Sequence, residues 1–450
     1  MPIPLTYDLA LAELSRALVF GINPSLDGVT ELCGELGNPQ DAFASVQITG
    51  TNGKSSTARA TAALLRAEGI SVGLYTSPEL ERYPERIEIG GAVVSDDEFA
   101  LALGAALNAA HVLRGPDAVG TATGFTEFEL LTAAALWLFR ERGIQIAVLE
   151  VGMGGRWDAT SVVSPSVAAI TGVGLDHTAI LGDTLAAIAA EKAAIIGPAT
   201  VPVLGPGTVG VEQVFLARAE AVGAHARAVR PESDPSPVAE DLTVRYTLAE
   251  RPSAPGGQTV VDVRGIHARY PALAVSAPSY QAANIATAVV IAEAALGRPL
   301  DAGAARSALS TLTFPGRFEL VRTEPPVIVD GSHNPQAAAV LADAVREAFP
   351  TKRPDLLLGV LADKDARGIV AALAPAVGHI TVTQPESPRG LSAEELATIV
   401  EQVTGVRPVA SYPSIAEALR ALQPLASGGL LVAGSLTTAG QARRLLRETW

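Results

Sequence analysis

Short apolar runs alternate along this chain with longer segments whose apolar positions recur at helical spacing. The runs Val46–Thr49, Val72–Tyr75, Ile146–Glu150, Val167–Thr171 and Val201–Leu204 read as strands buried on both faces, the signature of a largely parallel sheet. Helical patterns lie between them: an Ala-rich stretch from Thr57 to Glu68, then Asp96–Ala110, Thr126–Arg142 and Thr184–Ile196. Residues 230–255 are rich in Pro, Ser and charge, with a short strand candidate at Thr259–Val263, and predict a surface excursion with a small antiparallel patch. A helix over Tyr280–Leu296 closes this half, and residues 297–301 read as a linker. The alternation then restarts, with strands near Val327–Val329, Leu356–Val360, Ile380–Thr383, Val409–Tyr412 and Leu430–Ala433. The expected fold class is α/β, with a larger, mostly parallel domain over 1–297 and a smaller doubly wound, Rossmann-like domain over 298–450.

Composition narrows the function classes. With 48% apolar and 18% charged residues over 450 positions, the chain can bury a large core. A net charge of −14 argues against a nucleic-acid surface, which needs a basic face. The one cysteine, Cys33, rules out an internal disulfide and predicts a reduced, cytoplasmic setting. Asp8 and Glu13 interrupt any leader-like pattern, and the longest apolar runs are too short to span a bilayer, so no membrane association is expected.

The most informative segment is the turn Gly50-Thr51-Asn52-Gly53-Lys54-Ser55-Ser56, between a strand and a helix. Backbone N–H groups and a helix N-terminus there can face a phosphate, the Lys can reach the outer phosphates, and a hydroxyl can ligate magnesium. The full P-loop pattern also asks for a Gly where Ile48 stands, so the loop is a shortened form.

Other clusters fall at strand ends, where open α/β sheets place ligands. Ser77-Pro78 follows one strand and, read singly, is a turn. Glu150 ends another before a Gly turn that presents Arg156, where a carboxylate could ligate magnesium or orient water. Asp176-His177 follows a third, with Lys192 on the next helix, where it could equally be a surface Lys extending to solvent. In the second half, Arg317, Asp330, His333 and the run Asp363-Lys364-Asp365 lie at a domain junction that could hold ribose, base and phosphate.

Together these blocks resemble the Mur ligase superfamily, most closely its folylpolyglutamate synthase and dihydrofolate synthase branch. The resemblance spans nearly the whole chain. It includes residues 37–40, the loop 50–56, Thr76-Ser77-Pro78, residues 85–87, Phe128-Glu129 and Glu150 to Thr160. It continues through residues 174–177 and 181–184, Glu191-Lys192-Ala193, Gln281, Asn284, residues 315–317, 330–335 and 363–365, and Gly434-Ser435.

The resemblance implies an ATP-dependent ligase. A pterin or folate carboxylate attacks the γ-phosphate, and the amine of L-glutamate then displaces phosphate from the acyl phosphate. By similarity Gly50 through Ser56 cradle the phosphates, with Lys54 catalytic among them, and Asn284, Arg317, Asp330 and His333 contact the nucleotide. Ser77, Glu150 and His177 match ligands of one or two magnesium ions, and Lys192 matches a lysine that is carbamylated in the family. Phe128-Glu129 matches part of the pterin-side wall. Dihydropteroate, reduced folates or both are the implied acceptors, and the enzyme is expected to act as a monomer. The rival readings are a Mur-type ligase with another acceptor and a non-catalytic ATP-binding protein. The cell-wall ligases are disfavoured because only about 45 residues precede the loop, too few for their additional domain.

Three positions depart from the branch pattern. Ser55 stands where Gly is usual after the Lys, Glu79 where His usually follows Thr-Ser-Pro, and Tyr280 where His usually precedes Gln. Glu79 is expected to bring negative charge to the folate-side loop and to bear on acceptor choice.

Overall fold

A computed structural model describes residues 5–17, 24–121, 124–235, 242–422 and 428–449. Its first lobe is built on an 11-stranded sheet. The strands are β1 (Ala44–Thr49), β2 (Val72–Tyr75), β3 (Ile87–Ile89), β4 (Ala92–Val93), β5 (Ile146–Glu150) and β6 (Val167–Gly172), followed by β7 (Val201–Gly207), β8 (Arg227–Pro231), β9 (Thr243–Glu250), β10 (Thr259–Arg264) and β11 (Arg269–Val275). In space they run β11-β10-β9-β8-β7-β6-β1-β5-β2-β3-β4. All pairings from β9 across to β2 are parallel.

The central strands are apolar on both faces because both faces are covered. In β5, Ile146 and Val148 join the core beneath helices Lys54–Ala67 and Gln281–Leu296. Ala147 and Leu149 point the other way, toward helices Asp96–Arg114 and Glu127–Glu141. β1 lies between β6 and β5, so the loops leaving β1, β2, β5 and β6 converge at the carboxyl edge of the sheet.

A six-stranded sheet forms the second lobe, ordered β12-β13-β17-β14-β15-β16. Its strands are β12 (Glu319–Thr323), β13 (Pro326–Val329), β14 (Asp355–Leu358), β15 (Ile380–Thr383), β16 (Ala410–Tyr412) and β17 (Leu430–Ala433). Only β12 runs antiparallel. Ile328, Leu356 and Leu358 face one helical layer, Val327, Val329 and Leu357 the other.

The antiparallel patch expected after Arg230 is present as β9, β10 and β11, and it extends the first sheet, which β8 and β9 continue in parallel. Residues 236–241 of that segment lie outside the described residues. Beyond helix Gln281–Leu296, the next helix, Ala302–Ser310, buries Ala305 and Leu309 in the first core, joined by Leu300 and Phe314.

Leu309→Ala should therefore cost about 2–5 kcal/mol, the usual penalty for a buried Leu cavity. Amide exchange should quicken in β11 and helix Gln281–Leu296 and stay unchanged in β14 and β17. Faster exchange confined to the second sheet would place the helix in that lobe instead.

Candidate active site

The turn from β1 into helix Lys54–Ala67 is possible because Gly53, at φ +85°, occupies the helix N-cap position. A Cβ there would stand 2.7 Å from Asn284 Oδ1, so glycine is required by space as well as by backbone. Lys54 folds back over the loop, its Nζ donating to the carbonyls of Gly50 (3.1 Å) and Thr51 (3.3 Å). Desolvation lowers its pKa, and the Glu150 charge acts in the opposite direction.

Glu150 ends β5 with its carboxylate buried. Ser55 Oγ donates to one oxygen at 2.9 Å and the Ser77 N–H to the other at 3.3 Å. Burial raises its pKa, opposed by Lys54 and these two donors. Ser55, standing where Gly is usual, thus orients the carboxylate. The Ser77 hydroxyl is buried with no hydrogen-bond partner.

Lys192 does not extend to solvent. It is buried on helix Leu185–Ala193, and burial, with repulsion from Lys54, lowers its pKa to about 7. Asp176 and Asp158 oppose that shift only in part. Its amine is therefore substantially neutral near pH 7.

The second lobe closes over this edge. Asp330, at the end of β13, accepts from the N–H groups of Phe318 (2.7 Å) and Ser332 (2.8 Å) and from the Ser332 hydroxyl. Its carboxylate thereby shapes the loop that carries His333. Between the lobes, Asp176 accepts from Lys364 Nζ at 3.0 Å and from Asn334 Nδ2 at 3.3 Å, while His333 Nε2 lies 3.6 Å away. Burial works against its charge, yet these partners and His177 hold its carboxyl well below the usual range. Asn52 in the phosphate loop receives a hydrogen bond from Asn334 Nδ2 (3.2 Å) and donates to Gln336 Oε1 (3.1 Å). Asn334 and Gln336 had no assigned role in the sequence reading, and a partner so far away in the chain leaves no local signal.

One cavity of about 300 Å³ gathers the sequence-derived residues. Gly50 through Ser56, Ser77, Glu150, His177 and Lys192 line it from the first sheet and its loops, Asn284 from helix Gln281–Leu296, and Arg317, Asp330 and His333 from the second lobe's side. Glu79 corrects an expectation. Its carboxylate does not add free negative charge, because the buried Arg86 guanidinium pairs with it and also lies 3.8 Å from Glu127. Glu129 closes a capping box with Thr126, accepting from its N–H and hydroxyl at 2.8 Å each.

A Mur ligase middle domain matches residues 48–202 and a Mur ligase glutamate ligase domain matches residues 316–436. The dihydrofolate synthase/folylpolyglutamate synthase of Mycobacterium tuberculosis is 35% identical, over 94% of this chain and 90% of its own. The chain belongs to this family. A family structure, M. tuberculosis folylpolyglutamate synthase complexed with ADP, aligns with a TM-score of 0.87 at 34% identity, covering 98% of this chain and 99% of that one. Two other family members are each 28% identical. Escherichia coli FolC in complex with DHPP and ADP has a TM-score of 0.84, covering 99% of this chain and 98% of its own. A bifunctional folylpolyglutamate synthase/dihydrofolate synthase with Mn, AMPPNP and L-glutamate bound has a TM-score of 0.80, covering 99% and 100%. Among the described residues of this family member, no helix is long and apolar enough to cross a membrane.

A depressed Lys192 has a definite stability signature in CO2-free buffer. The unfolded chain holds that proton up to about pH 10.5, the folded chain only to about 7. The unmodified Lys therefore destabilises the fold fully below pH 7, and the penalty fades as pH rises to 10.5. Lys192→Met should melt higher than wild type at pH 7, with the gap closing toward pH 10. A constant gap across that range would refute the depressed pKa.

Proposed function

We propose that this chain is an ATP-dependent, ADP-forming ligase that joins L-glutamate to a pterin or folate carboxylate through an acyl phosphate. The observation that carries this is the single cavity in which the phosphate loop, Glu150, His177 and the buried Lys192 meet second-lobe residues. That relatives of this similarity hold ADP, DHPP and L-glutamate supports the choice of substrates.

The residues do what this chemistry needs. Loop amides and Lys54 neutralise the transferring phosphoryl group, which is mostly a matter of placement and charge. The donor set also fits magnesium: Ser77 offers a buried hydroxyl with no partner, and Glu150 a carboxylate fixed by Ser55. Magnesium is bound through few protein groups and keeps substrate oxygens and waters in the rest of its shell. Ser77, Glu150 and His177 would hold it, and it would supply charge neutralisation between the phosphates. Arg317, Asn284 and the loop shaped by Asp330 would seat the nucleotide. We assign Lys192 a carbamate: its neutral amine adds to CO2 and releases a proton, turning a buried near-neutral group into an anion beside the metal position. The acceptor enters on the Phe128 side. Joining of the lobes through Asp176 and Lys364 excludes water from the acyl phosphate.

We further propose two domains divided after helix Ala302–Ser310, on the strength of its packing in the first core. We also propose that it acts as a monomer in the cytoplasm without nucleic acid; a single buried cysteine fits a reduced setting, and a net charge of −14 fits the absence of nucleic acid.

ADP release should require both L-glutamate and a pterin carboxylate when dihydropteroate, tetrahydrofolate and UDP-linked peptides are compared. Turnover with only the UDP-linked peptides would sink the acceptor assignment and keep the ligase chemistry. Lys54→Ala should lower kcat by at least about a hundredfold, since one preorganised donor commonly contributes that much. A near-normal rate would remove Lys54 from the mechanism.

A further inference from the structure

The loop that carries Ser77 leaves the first sheet after β2 and is gripped by the second lobe. Leu80 packs against the second lobe's core of Val327, Val329, Leu430 and Ala439. Two glycines of that lobe form the notch that receives it. A Cβ on Gly440 would stand 1.9 Å from the Leu80 carbonyl oxygen, and one on Gly316 would stand 2.8 Å from Leu80 Cδ1. Beside the notch, Arg443 on helix Leu436–Thr449 pairs with Glu81 of the loop and, through Nε at 2.8 Å, with Glu319 of β12. All three side chains are largely shielded, at 10%, 13% and 19% exposure, so this differs from a weak surface pair. Within the loop, Glu85 accepts from the N–H groups of Leu80 (3.0 Å) and Glu81 (2.9 Å), which fixes the gripped residues themselves, one turn beyond Ser77.

We propose that Arg443 and Glu81 are positioning residues. By holding residues 77–81 against the second lobe, they set the Ser77 hydroxyl toward the metal and phosphate position only while the lobes are together. The proposal rests on the reading of Ser77 as a metal ligand. It gives the grip a task that simple adhesion does not. The lobes already meet elsewhere through Asp176–Lys364 and Asn52–Asn334, whereas this contact falls on the loop that delivers Ser77.

The test is calorimetric titration of ADP, with Mn2+ and separately with EDTA, into folded full-length variants checked by thermal unfolding. Ser77→Ala and Arg443→Met should each weaken Mn2+-dependent ADP binding by about tenfold, the scale seen when a group that orients a metal ligand is removed. Arg443→Lys should recover most of the loss, and the double variant should bind no more weakly than Ser77→Ala. Binding in EDTA should be unchanged in Arg443→Met. Gly440→Ala leaves every charge in place and displaces Leu80, so it should reproduce the Mn2+-specific loss. Fully additive effects, or an equal loss in EDTA, would overturn the proposal. A normal Ser77→Ala overturns the metal-ligand reading and the grip with it. A weakened Ser77→Ala beside a normal Arg443→Met overturns the grip alone.

Discussion

The Glu150 carboxylate is the point on which the rest of this site turns. It is buried at the end of β5, where an isolated charge would be unstable. Three neighbouring groups oppose its burial: Ser55 and the field of Lys54, both in the first turn of the phosphate-loop helix, and the Ser77 N–H from the loop after β2. β1, β2 and β5 are adjacent in the sheet, so one buried charge ties together the three loops that must converge for phosphoryl transfer. Moving any one of them leaves part of that charge unanswered.

The same economy explains the cations. Lys54 and Lys192 share a poorly hydrated region: burial lowers the pKa of both, and the Lys54 charge lowers that of Lys192 further. Two buried ammonium groups are unstable together, so the site favours a neutral Lys192, the form that reacts with CO2. Negative charge from the two lobes is absorbed in a comparable way: Asp330 of the second lobe is spent on its own turn, and Asp176 of the first on Lys364 and Asn334. What stays available in the cavity is a phosphate cradle with oxygen ligands on one wall, the arrangement an acyl-phosphate ligase requires.

Much of the fold was legible in the chain. β2, β5, β15 and β17 match the apolar runs residue for residue, because strands buried on both faces leave an almost unbroken apolar trace. β9 was missed because its side chains alternate with charge at the exposed part of the sheet, and Thr243–Glu250 reads as surface. Helix Ala302–Ser310 is short and follows directly on the stretch 297–301 that reads as a linker. Ser77, Glu150 and His177, which line the cavity, stood out in the chain because they end or follow strands in short motifs. Their partners were not: Lys364 meets Asp176 across 188 positions, and Arg443 meets Glu81 across 362. Even Glu79 and Arg86, seven positions apart, pair only because β2 and β3 fold back antiparallel. Spacing along the chain carries no trace of that turn.

The central claim is that the acceptor carboxylate is phosphorylated before glutamate attacks. An acceptor labelled with 18O in that carboxylate tests it directly, with mass analysis of the inorganic phosphate released during turnover with ATP and L-glutamate. The account predicts one 18O atom in each phosphate formed, carried from the carboxylate through the acyl phosphate. Phosphate free of the label, with amide product still forming, would contradict it.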